Sequence, residues 1–209
     1  MDKLVSTNDE VVQKLPDLFV KTRIVRDVSV GNTPQELQGR KNQILEEWKG
    51  KSESDLESIP EIIAYRRLQE KLGSDPKQIL PAVEGILVRG ILKGRFPTVN
   101  SAADAANIIS VENLIPIGLF DLDKIEGDVE LKLAHQGDEF VPIGKSGPDK
   151  LKPNTPILKD SKKDFLSSWS QRLKRYNDNT LRKIYFYSVG EQMKLMKEKS
   201  LKLLMNVLL

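Results

Sequence analysis

The sequence predicts an α+β protein in which helices come first and most strands follow. The first observation is a set of Pro-containing helix starts, each followed by apolar residues at helical spacing, over residues 33–91. The second is a change of pattern in the second half, where short apolar or alternating segments are separated by Gly and Pro. The third is the order of the two types, because helices and strands that are segregated along the chain favour α+β over a parallel βαβ sheet.

The composition indicates a globular protein. The 209 residues are enough for one sizeable core, and they are 39% hydrophobic and 30% charged, with a mean hydropathy of -0.39. No apolar run is long enough for a membrane span, and the N-terminal segment lacks a signal-peptide core, so we expect a cytoplasmic protein. Since Cys is absent, disulfides, thiol nucleophiles and Cys-based zinc sites are excluded. The net charge of +3 is too small to indicate nucleic-acid binding by itself.

The first half is predicted to contain one strand and three helices. Residues 18–30 alternate around β-branched side chains, which predicts a strand. Capping boxes in TPQE (33–36, with Thr33 as the cap) and SIPE (58–61) predict two helices, and Asp75 before a Pro predicts the start of a third. The buried positions expected of the first and third helices are Leu37, Ile44, Leu45, Trp48, Ile79, Val83, Ile86, Leu87 and Ile91.

The second half is predicted to begin with a short Ala-rich helix over residues 101–109 and to end with a basic amphipathic helix over Glu191–Leu209. The Met and Leu residues of the last helix favour docking onto protein over contact with lipid. The predicted strands between the two helices are 115–120, 128–134, 139–143, 155–159, 165–171 and 184–189.

Residues 114–131, LIPIGLFDLDKIEGDVEL, bring several carboxylates close together: Asp121, Asp123, Glu126 and Asp128. Carboxylate oxygens can hold a divalent cation, but the spacing fits no EF-hand loop. Asp residues beside Gly more often accept hydrogen bonds from the backbone of a turn, so we predict a turn. His135 is the only histidine and lies in the turn-like segment AHQGDE. We therefore predict no metal.

Asn100, Asp104 and Asn107 are spaced by four and three residues, which places them on one face of the Ala-rich helix. The small Ala neighbours leave room for a ligand, and a carboxylate at 104 suits an amino group. The alternative is capping, with Ser101 as the cap and Asp104 bonded to the first turn. If Asp104 binds a ligand, Asp104→Asn should keep the fold and lose most of the affinity for an aminoacyl compound.

A basic segment, SSWSQRLKRYNDNT (167–180), interleaves aromatic and cationic side chains. Such a segment can stack a base and contact phosphate at an RNA end. It also fits a charged edge strand whose cations deter aggregation. The side chains concerned are Trp169, Arg172, Lys174, Arg175 and Tyr176.

Residues 96–144, FPTVNSAADAANIISVENLIPIGLFDLDKIEGDVELKLAHQGDEFVPIG, resemble the B-three/B-four domain of the phenylalanyl-tRNA synthetase beta chain, and more closely the freestanding proteins built from that domain. The segment 62–94 also resembles the freestanding form, so that the resemblance covers roughly residues 60–190. The matching positions are Pro97, Asn100, Asp104, Asn107, Pro116, Gly118, Phe120, Asp121, Leu122, Asp123, Gly127, Asp128, Ala134, Gly137, Phe140 and Gly144.

The resemblance implies a single domain over residues 1–209, with a β-sandwich-like core at 60–190, a central pocket and the helix 191–209. In the synthetase this domain is similar to a second sieve that hydrolyses tyrosine wrongly attached to the phenylalanine tRNA. The resemblance also implies tRNA or aminoacyl-tRNA as the partner, and no cofactor. The substrate-binding residues expected from the resemblance are Asn100, Asp104, Asn107, Gly118, Phe120, Asp121 and Trp169. The RNA-binding residues expected from the basic segment are Arg172, Lys174 and Arg175.

Two departures from the family pattern bear on catalysis. The bacterial synthetase has a His where this chain has Gly118, and the freestanding relatives have an Arg–Trp–Asn–Trp–Arg run of which Trp169 is the matching residue here. No catalytic residue is therefore assigned. Three hypotheses remain open: an ester hydrolase acting on mischarged tRNA, a non-catalytic binding module for a free amino acid or nucleoside, and an adaptor docking on a synthetase or ribosome.

Overall fold

The computed structural model describes residues 5–18, 20–26, 28–121, 125–140, 147–161 and 183–189. The helices in this part of the chain are α1 (Asp9–Lys14), α2 (Gln35–Glu47), α3 (Glu53–Leu56), α4 (Pro60–Lys71), α5 (Ala82–Arg89) and α6 (Ser101–Asn113), with a 3-10 turn at Ile91–Lys93. The strands are β1 (Val5–Thr7), β2 (Val20–Arg26), β3 (Ile117–Asp121), β4 (Val129–Leu133), β5 (Glu139–Phe140), β6 (Asp149–Lys150), β7 (Pro156–Lys159) and β8 (Lys183–Val189). None of these helices is long and apolar enough to cross a membrane.

The α+β prediction is confirmed, but strands are not confined to the second half. Strand β1, which was not predicted, pairs in parallel with β4, with Val5 opposite Val129. Strand β2 pairs antiparallel with β8, with Val20 opposite Val189. The N-terminal residues therefore supply an outer strand to each of two sheets. Periodicity within one segment cannot reveal such pairings, because it carries no information about the partner strand.

The first sheet has the order β1-β4-β7 and the second the order β2-β8-β3. Strand β7 runs antiparallel to β4, with Leu131 opposite Leu158. In the second sheet β8 lies between two antiparallel neighbours. Strands β5 and β6 form a separate antiparallel pair. The β-sandwich-like arrangement that the resemblance implies stays a prediction.

Two large hydrophobic clusters and a small one, formed by Ala134, Leu151 and Ile157, make up the interior of the described residues. The first, here called the helical core, joins α2, α4, α5 and α6 to the second sheet, and it contains Val25, Val28, Val30, Leu37, Ile44, Trp48, Leu56, Ile62, Val83, Leu87, Ile91, Ala102, Ala105, Ala106, Ile108, Ile109, Val111 and Leu119. The second, here called the strand core, joins α1 and α4 to the first sheet, and it contains Val11, Leu15, Leu18, Tyr65, Leu68, Leu72, Val129, Leu131, Leu133 and Leu158.

Both predicted capping boxes are wrong, although both helices exist. The N-cap of α2 is Pro34, and no side chain caps this helix. The hydroxyl of Thr33, which was expected to cap it, donates to Asp104 instead. Helix α4 has no side-chain cap either, since the Ser58 hydroxyl donates to the backbone carbonyl of Asp55 at 3.0 Å. Two polar side chains with capping potential are therefore used for tertiary or local loop contacts.

The third helix begins later than predicted. Helix α5 starts at Ala82, with Pro81 as the N-cap. The carboxylate of Asp75 accepts a hydrogen bond from the backbone N–H of Lys77 at 2.9 Å, which makes a local turn. A helix that started there would have to pass Pro81, which has no N–H and disfavours helical geometry at Leu80. The second proline therefore sets the start of α5.

Several other predictions can be compared directly with the fold. The predicted helix at 101–109 is α6, and four predicted strands correspond to β3, β4, β7 and β8. Helix α1, which was not predicted, begins after Asn8, whose side chain accepts from the N–H of Glu10. The strand predicted at 165–171 and the C-terminal helix Glu191–Leu209 lie outside the described residues, as does most of the strand predicted at 139–143.

Candidate ligand-binding site

Helix α6 begins with Asn100, not with the predicted cap Ser101. The side-chain oxygen of Asn100 accepts from the N–H of Ala103 at 2.9 Å, as an N-cap does. Ser101 exchanges hydrogen bonds with Gly31: its N–H donates to the Gly31 carbonyl at 2.9 Å, and its hydroxyl accepts from the Gly31 N–H at 3.1 Å. The start of α6 is thereby fixed to the loop before α2.

The carboxylate of Asp104 is fully buried and already has a cation. The ammonium group of Lys41, on α2, lies 2.5 Å from its Oδ2, and the two side chains are 1% and 0% exposed. The hydroxyl of Thr33 donates to the same oxygen. The other oxygen accepts from the backbone N–H of Val99 at 2.8 Å. Asp104 therefore bonds to Lys41, Thr33 and Val99 rather than to N–H groups of the first turn of α6, as the capping alternative expected, and its binding of a substrate amino group stays a prediction.

The surroundings of Lys41 compensate for the removal of its charge from water. Its ammonium group donates to Asp104 and to the hydroxyl of Thr98 at 3.0 Å. It also lies 5.5 Å from the centre of the Phe96 ring, in range for a cation–π contact. Buried ions need several partners of this kind, because removing each charge from water costs on the order of several kcal/mol. Only well-placed partners offset that cost. The pair therefore joins α2 to α6 and to the segment before α6.

Sequence analysis missed Lys41, although α2 carries a signal for it. The buried face of α2 includes Leu37, Ile44 and Trp48. Position 41 lies four residues after Leu37 and three before Ile44, so helical spacing places it on the same face. A lysine in the middle of an apolar stripe requires a buried partner. The partner itself is 63 residues away along the chain and cannot be identified from local spacing.

Asn107 is the one half-buried position of α6 between residues 101 and 111, all other side chains of this stretch being buried. Its amide forms no side-chain hydrogen bond with any part of the chain that the structure describes. An amide carries two donors and one acceptor oxygen, so it can bind a hydroxyl, carbonyl or amide group. Of the three residues predicted to bind a ligand from α6, Asn107 has a side chain free to do so.

Strand β3 packs against α6, but its candidate residues divide between two faces. Leu119 belongs to the helical core, which contains most of α6. Phe120 contacts the strand core on the opposite side. Because side chains alternate along a strand, Asp121 shares the side of Leu119, and Gly118 shares the side of Phe120. Helix α6 and strand β3, which carry most of the predicted substrate-binding residues, are neighbours, and Asp121 is the candidate on β3 whose side of the strand matches that of α6.

The described part of the acidic segment after β3 bends at Gly127, and the predicted turn with hydrogen bonds to its Asp side chains stays a prediction. Gly127 has a φ of 81°, which Gly adopts without strain. The N–H of Glu126 donates to the buried carboxylate of Asp160 at 2.8 Å, and the N–H of Ser161 donates to the Glu126 carbonyl at 3.0 Å. Leu122–Lys124, and with them Asp123, lie outside the described residues. Within the residues described, no group of three or more His, Asp or Glu side chains is arranged to hold a metal ion.

His135 lies in an exposed turn, as its turn-like sequence predicted. Its side chain is 66% exposed, and its backbone N–H donates to the carboxylate of Asp138 at 2.9 Å. Its Nε2 lies 3.1 Å from the carboxylate of Glu10 on α1. Hydrogen bonds to Lys14 and then His135 hold the pKa of the Glu10 carboxyl below its ordinary value. His135 therefore belongs to a surface network rather than to the α6 site.

A second ion pair with a buried carboxylate connects α4 to α5. Glu84 is 1% exposed, and Arg66 donates to both of its oxygens, the shortest distance being 2.5 Å. These hydrogen bonds raise the pKa of Arg66. Burial raises the pKa of the Tyr65 hydroxyl, which lies in the strand core. Neither Glu84 nor Tyr65 was a candidate functional residue, and their contacts fit a structural role.

The remaining predicted site residues are Trp169, Arg172, Lys174 and Arg175, which lie outside the described residues. Their assignment to substrate and RNA stays a prediction.

Comparison with known proteins gives the family. The family model described as the B3/4 domain matches residues 64–175, more than half of the chain. The chain belongs to the B3/4 domain family. The match includes α6 and β3, so both elements of the candidate site are part of the family domain.

Among solved structures, the chain is similar to an N-terminal fragment of the phenylalanyl-tRNA synthetase beta-subunit from Pyrococcus horikoshii. The two share 13% sequence identity, and the TM-score is 0.46. The similarity covers 97% of this chain and 47% of the fragment, so the chain spans about half the length of that structure. No curated protein sequence matches the chain.

Proposed function

We propose that this B3/4 domain protein binds the aminoacyl end of a tRNA and that Asn107 contacts the ligand. The observation that carries the proposal is the half-buried amide of Asn107, which has no side-chain hydrogen bond within the described residues and lies on a helix that is otherwise buried over residues 101–111. Family membership and the resemblance of residues 96–144 to the synthetase editing domain support the aminoacyl-tRNA as the ligand.

In this proposal the chain acts on mischarged tRNA in trans, as an ester hydrolase. Asn107 binds a carbonyl or hydroxyl group of the aminoacyl-adenosine end. Backbone groups and the ribose hydroxyl of the substrate position the attacking water, because Gly118 stands where the bacterial synthetase has a histidine. Trp169 stacks on the terminal base, and Arg172, Lys174 and Arg175 contact phosphates.

The direct test is deacylation of a panel of mischarged tRNAs by the wild-type protein and by Asn107→Ala. Loss of a hydrogen bond of this kind costs about 1 kcal/mol, which is roughly a five-fold weaker binding constant. Asn42→Ala is the matched control, because Asn42 is an exposed asparagine on α2. Equal loss in both variants, or none in Asn107→Ala, would remove Asn107 from the site.

A salt series tests the RNA part of the proposal. Contacts between the basic segment and phosphates release counterions, so the affinity for tRNA should fall steeply with salt. Arg172→Ala and Arg175→Ala should weaken all tRNAs alike and reduce the salt slope by about one each. Binding that does not depend on salt, or no binding at low salt, would contradict tRNA as the partner.

The presence of Gly118 also favours a second candidate, a non-catalytic module for a free amino acid or nucleoside. Without an imidazole at this position, the chain lacks the general base that the synthetase pattern offers. The two candidates differ in one measurement. If the protein binds a non-hydrolysable aminoacyl-adenosine analogue but deacylates no tRNA of the panel, the binding module is correct.

A further inference from the structure

The apolar side chains of helix α6 do little to fix its rotation about its own axis. Its side chains from Ser101 to Ala106 and from Ile108 to Val111 are all buried, and many of them are alanine. An amphipathic helix is oriented by one apolar stripe facing the core. A helix that is small and apolar on nearly every side gains little from any particular rotation about its axis, so polar contacts must select the rotation.

The polar contacts of α6 with other elements lie in its first turn and at its end, where Glu112 pairs with Arg40 across a partly exposed interface. Ser101 bonds to Gly31, and Asp104 bonds to Lys41, Thr33 and the N–H of Val99. Of these, the Lys41–Asp104 pair has the greatest power to select one rotation. Rotating α6 would separate two buried charges and leave each without its partner, which is far more costly than losing a contact between neutral groups.

The spacing along α6 connects this pair to the candidate ligand contact. Asn107 follows Asp104 by three residues, so the two side chains lie about 60° apart around a helix of 3.6 residues per turn. When Asp104 points toward Lys41, Asn107 is placed at the margin of the buried interface, where it is half-buried. A rotation by a single residue position, about 100° in either direction, would put Ala106 or Ile108 in its place.

We propose that Lys41 is a positioning residue whose ion pair with Asp104 fixes the rotation of α6 and thereby holds Asn107 toward the ligand. Lys41 acts through Asp104 and does not touch the ligand. The pair also occupies the carboxylate, which leaves the neutral amide of Asn107 as the group of α6 that meets a ligand. The inference rests on the proposed function in one respect, namely that Asn107 contacts the ligand.

The test uses the full-length protein with a neutral pair, Lys41→Met together with Asp104→Asn. Asn at 104 keeps the oxygen that accepts from Val99, and Met keeps much of the volume of the lysine chain. The readout is the side-chain amide signal of Asn107 in a two-dimensional NMR spectrum, assigned by its absence in Asn107→Ala. No ligand is needed, so the result is independent of whether the proposed function is correct.

Asn113 provides an internal control on the same helix. Its amide donates to the carbonyl of Ile109 at 2.8 Å within the helix, so its signal reports whether the end of α6 is formed. We expect the Asn107 signals of the neutral-pair variant to shift or split while the Asn113 signals stay in place. Unchanged signals at both residues in a folded variant would overturn the proposal.

A second variant decides the matter if the neutral pair prevents folding. Thr98→Val keeps both charges and removes one acceptor of the Lys41 ammonium group. We expect a smaller displacement of the Asn107 signals, again without a change at Asn113. If Thr98→Val leaves the Asn107 signals where they are in the wild type, Lys41 is only a stabilising residue and the proposal fails.

Discussion

Two adjacent residues of α2 form ion pairs with the same helix, α6, but in different environments. Lys41 pairs with Asp104 near the start of α6, and both side chains are essentially unexposed. Arg40 pairs with Glu112 near its end, and these side chains are 21% and 25% exposed. Both pairs join a basic side chain of α2 to a carboxylate of α6, so they differ mainly in their exposure to water. Water screens the second pair and would solvate either partner if the other were removed.

A third pair lies between these limits. Glu84 is 1% exposed, whereas its partner Arg66 is 29% exposed. Removal of the arginine would therefore leave a buried carboxylate, but removal of the carboxylate would leave a cation that water can reach. From this comparison we expect that burial of the partner left behind, rather than the number of hydrogen bonds, sets the cost of breaking each pair.

The largest effect is expected for Asp104→Ala. This change leaves the ammonium group of Lys41 buried without its anion, and breaking a buried pair from one side costs about 3–5 kcal/mol. The free energy of unfolding, measured by urea denaturation, should fall by this order, while Glu112→Ala serves as the control with a small effect. Asp104→Asn gives a further check. If it melts like the wild type yet loses its affinity for an aminoacyl compound, Asp104 binds the ligand after all.

An intermediate effect is expected for Arg66→Ala. Glu84 would lose the donor that reaches both of its oxygens, and an unpaired buried group costs roughly 1–3 kcal/mol, with charged groups toward the upper end. Arg67→Ala is the matched control, because Arg67 is the next residue of α4 and is exposed. Similar losses in the two variants, measured in the same urea titration, would contradict the role assigned to the burial of Glu84.

A small effect is expected for Arg40→Ala. Its guanidinium group donates to Glu112 from Nε at 3.1 Å and also from Nη2. Partly exposed pairs contribute only about 0.2–1 kcal/mol, and salt weakens them. The difference from the wild type in the free energy of unfolding should shrink when salt is raised. A loss as large as that of Asp104→Ala would show that exposure does not separate the two ends of the α2–α6 interface.

Local sequence signals predicted the elements better than their ends or their partners. Helices α2, α4 and α6 and strands β2, β3, β4, β7 and β8 follow periodicity or alternation. The caps failed because the hydroxyl groups of Thr33 and Ser101 have tertiary partners, Asp104 and Gly31, that compete with helix capping. Helix α1 has only six residues, and strand β1 depends on pairing with β4. Short elements of this kind are stabilised mainly by tertiary contacts.

The candidate site was predicted in part. The helix carrying Asn100, Asp104 and Asn107 was predicted, since its pattern is local. The different roles of these three side chains were not predicted, because they depend on Lys41. The contact between Lys41 and Asp104 is long-range. Stereochemistry of strands likewise separates Gly118 from Asp121, which a family motif written along the chain does not show.

The smallest effect is expected in a surface network around the carboxylate of Glu10, whose side chain is 35% exposed. Its pKa is lowered first by the hydrogen bond from Lys14 and then by that with His135. A carboxyl group whose pKa is lower in the folded protein stabilises the fold above its unfolded pKa, and that stabilisation is lost as the pH falls through the folded pKa. The stability difference between the wild type and Glu10→Gln should therefore be present at neutral pH and disappear on acidification.

The order of the two causes gives a sharper measurement. The Glu10 carboxyl carbon can be titrated by NMR in the wild type, in Lys14→Ala and in His135→Ala. Both variants should raise the midpoint toward the ordinary value of a glutamate, and Lys14→Ala should raise it further, because the Lys14 hydrogen bond is the larger cause. Since water surrounds this network, the shifts should be reduced by salt, as for other exposed pairs. A larger response to His135→Ala would instead make the contact between α1 and the turn at His135 the dominant one. It would also show that a partner distant in sequence can outweigh a neighbour four residues away on the same helix, even where neither charge is buried.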